Sequence, residues 1–337
     1  MINMDDSREI VIPFTPQPPH QNPNIISKSH EESINSYYDC LFVAFLSLRR
    51  AMPESKLTLI TNKKLSELHQ LRLNRLSVKV EIVAFTFQPP EGMVSRFAGC
   101  FFLFDAMAKR TGKSVLYLDP DVLCMRNLDF FSHEKGICAL NLKGVEYPEV
   151  ENSKNVEIFP YLQARGLFQP LSRAEFNYFG GELYFVPESM SEILFTKISE
   201  LWERNSLDFY SGETVLSTEE QLLSVIFQKF PISNALGSIK RVWTSLRFDN
   251  WLGASDHNLP LIHLPSEKEF GFARLSKLLS ENIEYYISLS DDEWRILILK
   301  ECDLDKIRLV RKSRRFFRIA LLRLSDFYFR NFQRAFK

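Results

Sequence analysis

The sequence predicts an α/β fold with a mixed, mostly parallel sheet, and three observations carry that expectation. An apolar strand, EIVIPF at residues 9–14, is followed by apolar residues at helical spacing and then by a second strand, KLTLIT at 56–61, the order of a parallel strand–helix–strand unit. A later apolar strand, VLYL at 115–118, runs directly into two carboxylates, Asp119 and Asp121. With 337 residues, 45% hydrophobic and 25% charged, the chain is also large enough for one big α/β domain, or such a domain with an appendage.

The elements follow in order. Residues 32–51 carry Tyr37, Leu41, Ala44, Phe45 and Leu48 on one helical face, after a polar, Pro-rich loop that runs through Pro23. A short helix is expected near 64–70 and a strand at 78–85. An amphipathic helix at 95–110 then feeds the strand that ends in Asp119. A further strand is expected at 136–142. Residues 143–175, with Pro148, Pro160 and Pro170, suit a substrate loop or lid. Next, FNYFGGELYFVP (176–187) sets Gly180 and Gly181 before an apolar strand, where the missing Cβ lets backbone approach a ligand or simply makes a turn or bulge. Helices are expected at 189–202 and 218–228, the second with Thr218 as N-cap and Glu219 and Glu220 in its first turn. No internal repeat or low-complexity tract stands out.

Two acids one residue apart at the mouth of a strand suit a hard divalent cation. Mg²⁺ and Mn²⁺ prefer oxygen ligands, take one or two protein carboxylates and keep positions for substrate phosphate. Pro120 fixes its own φ and restrains Asp119, so the pair is partly preorganised. The competing reading of a bare D-x-D is a solvated turn. Its context favours a site, because ligands of open α/β sheets bind beyond the carboxyl ends of strands. A second polar group stands at such an end in LPLIHLPSEK (259–268): His263 after an apolar run, with Lys268 five residues on. His263 reads either as a satisfied core residue or as a third metal ligand, with Lys268 meeting a leaving phosphate.

Charge is balanced overall, with 42 basic and 42 acidic residues, but unevenly spread. Residues 306–337 hold 11 Lys/Arg against one acid, Asp326, so the tail carries +10 and the remainder −10. Arg323, Asp326, Arg330, Gln333, Arg334 and Lys337 share one helical face, and Phe317, Ala320, Leu321, Leu324, Phe327, Tyr328 and Phe332 the other. Such a basic amphipathic helix fits an anionic membrane surface; a helix docked on its own domain and a nucleic-acid contact are the alternatives, the last not expected. The five cysteines are odd in number and never in C-x-x-C, which argues against a disulfide framework or zinc site and for buried thiols in a reducing compartment. The acidic N-terminus lacks the pattern of a signal peptide, and no apolar run reaches a membrane span, so secretion and membrane crossing are not expected.

The order strand, D-x-D, apolar run, Gly-containing strand, acidic helix start, then strand, His and Lys resembles the GT-A glycosyltransferases and, within them, glycosyltransferase family 8. The resemblance covers about residues 8–275, and LYLDPDVLCMRNLDFF is its most specific stretch. It implies a GT-A domain over 1–280 and a C-terminal helical region, 281–337, ending in the basic tail. It also implies a nucleotide-diphosphate sugar, a UDP-sugar by preference, held through Mn²⁺ or Mg²⁺ and transferred to a glycan or glycolipid with retention at the anomeric carbon. Asp119, Asp121 and His263 would ligate the metal, and Lys268 would meet the diphosphate. Arg96 would contact the nucleotide, and Phe14 and Thr15 would receive uracil and ribose. Asn177, Gly180 and Gly181 would touch the sugar, with Glu219 and Glu220 near its anomeric carbon beside Asp121. The chain departs from the family in having Pro265, Ser266 and Glu267 where Gly and then Lys-Pro-Trp are usual, and FGGE is also similar to relatives of family 6. The tail is similar to one in lipooligosaccharide-building members, which implies lipopolysaccharide biosynthesis at the cytoplasmic face of the inner membrane.

Two other readings compete. A phosphohydrolase of the haloacid-dehalogenase type would use Asp119 as nucleophile and Asp121 as acid/base, with Asp291 and Asp292 as its late acidic pair. Against it, more than a hundred residues precede the strand, where that family's strand opens the domain. A non-catalytic carbohydrate-binding or scaffold protein would keep the fold without the chemistry.

Overall fold

The computed structural model describes residues 9–22, 25, 29–128, 134–142, 158–159, 161–162, 165, 176–245, 250, 252–305, 310, 313–317 and 319–320. Most of the lid expected at 143–175, and most of the basic tail, lie outside them.

Strand β1 (Glu9–Phe14) leads through helix α1 (His30–Ala51) to β2 (Lys56–Thr61). Glu31 and Glu32 stand in the first turn of α1 and Arg49 and Arg50 in its last, matching the helix dipole, and the Ser29 hydroxyl caps its start by accepting from Glu32 N. β1 and β2 are parallel neighbours, as the strand–helix–strand pattern predicts. Helix α2 (Glu67–Arg75) and strand β3 (Val78–Ile82) extend that half of the sheet. Helix α3 is confined to Phe102–Ala108 and follows a 3-10 turn, Ala98–Phe101. The longer helix expected from residue 95 does not form. Phe97 sits at φ +61, in the left-handed region, and the amides of Phe97 and Ala98 donate to Gln21 rather than into a helical turn.

After α3 come β4 (Val115–Leu118), β5 (Val122–Cys124), β6 (Ile137–Asn141), β7 (Phe179–Val186), the long helix α4 (Glu188–Tyr210), α5 (Glu219–Phe227), β8 (Ile232–Asn234) and β9 (Ile239–Arg241). Strand β10 (Leu261–His263) and helices α6 (Gly271–Glu281), α7 (Ile283–Ile287) and α8 (Asp291–Glu301) follow. Gly180 and Gly181 lie inside β7 rather than in a turn before it.

The main sheet has the order β3-β2-β1-β4-β7-β6-β8, and only β7 runs against the rest. This is the mixed, mostly parallel sheet of the expected GT-A class. Its middle strands are buried on both faces: Ile10, Ile12 and Phe14 of β1 point into one apolar cluster with α1, and Val11 into the other with Phe102, Val115 and Tyr117. Ile283, Trp294 and Ile298 belong to the first cluster, so α7 and α8 share the core of the body. A small second sheet, β5-β10-β9, branches from the main one immediately after Asp121.

Candidate metal and nucleotide site

That branch point creates the site. β4 ends at Leu118, the Asp119 amide donates to Glu182 O of the neighbouring β7 at 3.2 Å, and Val122 N closes the turn onto Asp119 O at 3.2 Å. The chain then leaves the main sheet as β5, whose antiparallel register sets His263 of β10 opposite Val122. Leu264 N donates to Asp121 O at 3.0 Å, which binds the two segments together at this level. Residues 142 positions apart in the chain are thereby fixed side by side by sheet register alone.

The His263 imidazole turns Nε2 to the aspartates, 3.3 Å from Asp121 Oδ2 and 3.9 Å from Asp119 Oδ2. One ligand atom from each of these residues lies within 4.8 Å of the others. Two carboxylates and one imidazole suit Mn²⁺ or Mg²⁺. Buried His263 Nδ1 has no hydrogen-bond partner but stands 3.7 Å from Glu182 Oε1, the carboxylate behind a ligating histidine that orients many metal sites. The donor set therefore fits a divalent cation.

Lys268 Nζ contacts the Asp121 carboxylate and lies 5.5 Å over the Tyr37 ring. Burial by itself would raise Asp121, yet the charges of Lys268 and His263 hold its carboxyl far below the usual range. Asp119 is held well above its ordinary value, by its crowded surroundings and then by the like charge of Asp121. Burial disfavours protonated His263, but the carboxylates of Asp121 and Glu182 outweigh it and push the imidazole up to about 9.

A second cluster adjoins this one. Arg241 grips fully buried Glu182 with two contacts, Nε to Oε1 at 2.8 Å and Nη2 to Oε2 at 2.5 Å, and reaches Glu220 Oε1 at 3.3 Å. Glu220 also accepts from Gly181 N at 2.9 Å and from Tyr178 Oη at 3.0 Å. Thr218 caps α5 as expected and so delivers Glu219 and Glu220 to this place. A Cβ on Gly180 would stand 2.2 Å from Glu182 Oε2, and one on Gly181 2.5 Å from Glu219 Oε1, so the two glycines make room for the chain's own carboxylates.

The other expected positions are spread more widely. Phe14 stacks on Tyr37 with ring centroids 5.2 Å apart, and Thr15 Oγ1 donates to Asn62 Oδ1 at 2.8 Å; both stand at the end of β1, beside β4. Asn177 is engaged by Asn141 and Gln228. Arg96 is exposed in a bend ahead of the 3-10 turn, not in the first turn of a helix, for the reason Phe97 supplies. The late acidic pair of the phosphohydrolase reading opens α8, where Asp291 pairs with Arg50 and Asp292 lies 4.0 Å from His257, so neither joins Asp119 and Asp121. Glu182 and Arg241 escape the sequence reading, and Tyr37 enters it only as an apolar position of a helix; a glutamate inside an otherwise apolar strand is the available signal for the first.

No protein-family model matches the chain, and no curated protein matches it. Among solved structures, the apo form of WbbM, a bifunctional glycosyltransferase, aligns over 77% of this chain and 46% of its own at a TM-score of 0.47 and 13% identity. The glycosyltransferase GlyE of Streptococcus pneumoniae TIGR4 aligns over 87% of this chain and 63% of its own at 0.47 and 13%, and its apo form over 87% and 62% at 0.44 and 13%. The chain thus spans about half to two-thirds of the length of these structures, and similarity of this degree adds no weight to the geometry above.

Proposed function

We propose that the chain is a metal-dependent glycosyltransferase that moves a sugar from a nucleotide-diphosphate donor, a UDP-sugar by preference, to a glycan or lipid-linked acceptor with retention. The observation that carries this reading is the convergence of Asp119, Asp121 and His263 Nε2 beside Lys268 at the ends of β4 and β10. Bound there, Mn²⁺ or Mg²⁺ would supply Lewis acidity toward the diphosphate oxygens.

The chain's own residues divide the remaining work. Lys268 is a buried ammonium that offers positive charge to the departing diphosphate, an electrostatic contribution that is often the largest in catalysis. Glu182 orients His263 through Nδ1. Arg241, Tyr178 and the Gly181 amide immobilise Glu220, which with Glu219 faces the developing positive charge at the anomeric carbon. Phe14 and Thr15 receive the base and ribose, Asn177, Gly180 and Gly181 border the sugar, and Arg96 reaches the nucleotide from the surface. The basic segment 306–337 brings the enzyme to an anionic membrane face, consistent with a lipid-linked acceptor and a peripheral, cytoplasmic site of action.

Calorimetry with UDP and a panel of UDP-sugars tests the reading. Binding is expected with Mn²⁺ and not with chelator, together with slow Mn²⁺-dependent release of UDP from one donor. Asp121→Asn removes charge without volume and should lower turnover at least a thousandfold, about 4 kcal/mol, while the fold persists. Phosphate release from simple phosphoesters would favour a phosphohydrolase, and failure to bind any nucleotide sugar would favour a scaffold.

A further inference from the structure

We infer that Arg315, in the basic C-terminal segment, is a positioning residue for Lys268: its guanidinium fixes the loop 264–271 from outside, so that the lysine is presented to the metal and diphosphate site. The inference rests on the reading above and concerns a residue outside the stretch, about 8–275, that the family resemblance covers.

The loop is held at two faces. On the inner side, Leu264 N donates to Asp121 O at 3.0 Å, and Lys268 Nζ contacts the Asp121 carboxylate. On the outer side, the side chain of Glu267, adjacent to Lys268 and only 4% exposed, organises the turn. Glu267 Oε2 accepts from Gly271 N at 3.0 Å, Glu267 O accepts from Phe270 N and Phe272 N at 3.0 Å, and Oε1 accepts from the Thr244 hydroxyl.

A buried carboxylate of this kind requires a cation, and Arg315 provides it. Arg315 Nη1 lies 2.8 Å from Glu267 Oε1 and 2.9 Å from Thr244 Oγ1, Nη2 donates to Ser266 O, and the guanidinium lies 4.7 Å over the Phe270 ring. One planar fork thus touches Ser266, Glu267 and Phe270, the residues on both sides of Lys268. An ammonium could match the charge but not the fork and the stacking together. The neighbouring Arg314 pairs with Asp303, just past α8, at 2.9 Å, so this part of the tail is seated on the body at two points. Because Glu267 and Lys268 are consecutive, a shift of the outer contact moves the backbone that carries the inner one.

Hydrogen exchange and UDP calorimetry on the full chain test this together. Arg315→Gln should speed amide exchange at 266–271 about tenfold and leave strands β1, β2 and β4 unchanged. With Mn²⁺ present it should weaken UDP about tenfold, as Lys268→Ala does, while Mn²⁺ affinity stays within twofold. The double variant should be no weaker than Lys268→Ala alone, because both changes remove one interaction. Arg315→Lys, which keeps the charge beside Glu267, should show the same pattern at smaller size and stands in if the Gln variant does not fold. Unchanged exchange at 266–271, or losses that multiply in the double variant, would overturn the assignment. If the wild-type chain bound no UDP, the proposed function would fail, and the exchange comparison would still decide whether Arg315 holds the loop.

Discussion

Glu182 is the residue on which two clusters meet. Its carboxylate receives two nitrogens of Arg241 and faces His263 Nδ1 at 3.7 Å, so one side chain balances a buried guanidinium and stands behind the imidazole of the proposed metal site. Burial opposes its ionisation, but Arg241 and His263 overcome this and hold the carboxyl far below the ordinary glutamate range. Replacing it with Gln preserves shape and an acceptor oxygen but removes the charge. Carboxylates that stand behind a ligating histidine are worth roughly 10–100-fold in metal affinity. Glu182→Gln should therefore weaken Mn²⁺ by a factor in that range in titrations of the folded protein, and an unchanged affinity would show that Glu182 serves Arg241 alone. Asp119, Asp121 and His263 are legible in the sequence because each is a polar residue at the end of an apolar run, which marks a strand end, and Lys268 is singled out only by standing five positions beyond His263. Glu182 and Arg241, 59 positions apart, carry no such local signature. Their partnership arises from the pairing of β7 and β4 and the branching of β9, which no window of sequence contains.

At the scale of elements, β1 and β2 have their expected bounds because a buried parallel strand is an unbroken apolar run between polar breaks. Helix α4 is eight residues longer at its C-terminal end than expected, because its pattern loosens beyond Trp202 while Asn205 still anchors it by exchanging hydrogen bonds with Leu216. The far edge of the sheet is joined to the turn after α3 by charge instead. Arg110 contacts Glu9 of β1 and Glu81 of β3, each at 2.9 Å, and is almost wholly buried. The hydrogen bond from Arg110 is the main cause that lowers Glu81 to about 2, against burial and with help from Lys79. A carboxylate with a depressed folded-state pKa stabilises fully above its unfolded value, near 4.5, and loses that contribution as pH falls through about 2. Glu81→Gln leaves Arg110 paired with Glu9, so its cost should be about 2 kcal/mol at pH 7 and should shrink toward zero near pH 2. Urea unfolding at both pH values checks this; a cost that stays constant across the range would assign the loss to packing.

Over the whole molecule, the sequence places a +10 segment on a −10 body, and the structure shows how the two are joined. Arg314 meets Asp303 and Arg315 meets Glu267, so both basic residues described in this segment are engaged by the acidic body. Beside them Phe316 and Phe317 are 58% and 66% exposed, large rings that the core does not take. No described helix is long and apolar enough to cross a membrane. A cluster of this charge gains about 1 kcal/mol per Lys or Arg near an anionic leaflet, and the gain is lost as salt shortens the screening length to about 3 Å at 1 M. The full chain should therefore sediment with phosphatidylcholine vesicles that contain phosphatidylglycerol, and return to the supernatant in 1 M salt. Vesicles of phosphatidylcholine alone should retain little of it. Replacing Arg323, Arg330 and Arg334 together with Glu, which reverses the charge of one side of the helix that the sequence predicts, should abolish the sedimentation. Equal recovery on neutral and anionic vesicles would mean that the aromatic face, not the charge, makes the contact, and recovery on neither would assign the basic face to solvent.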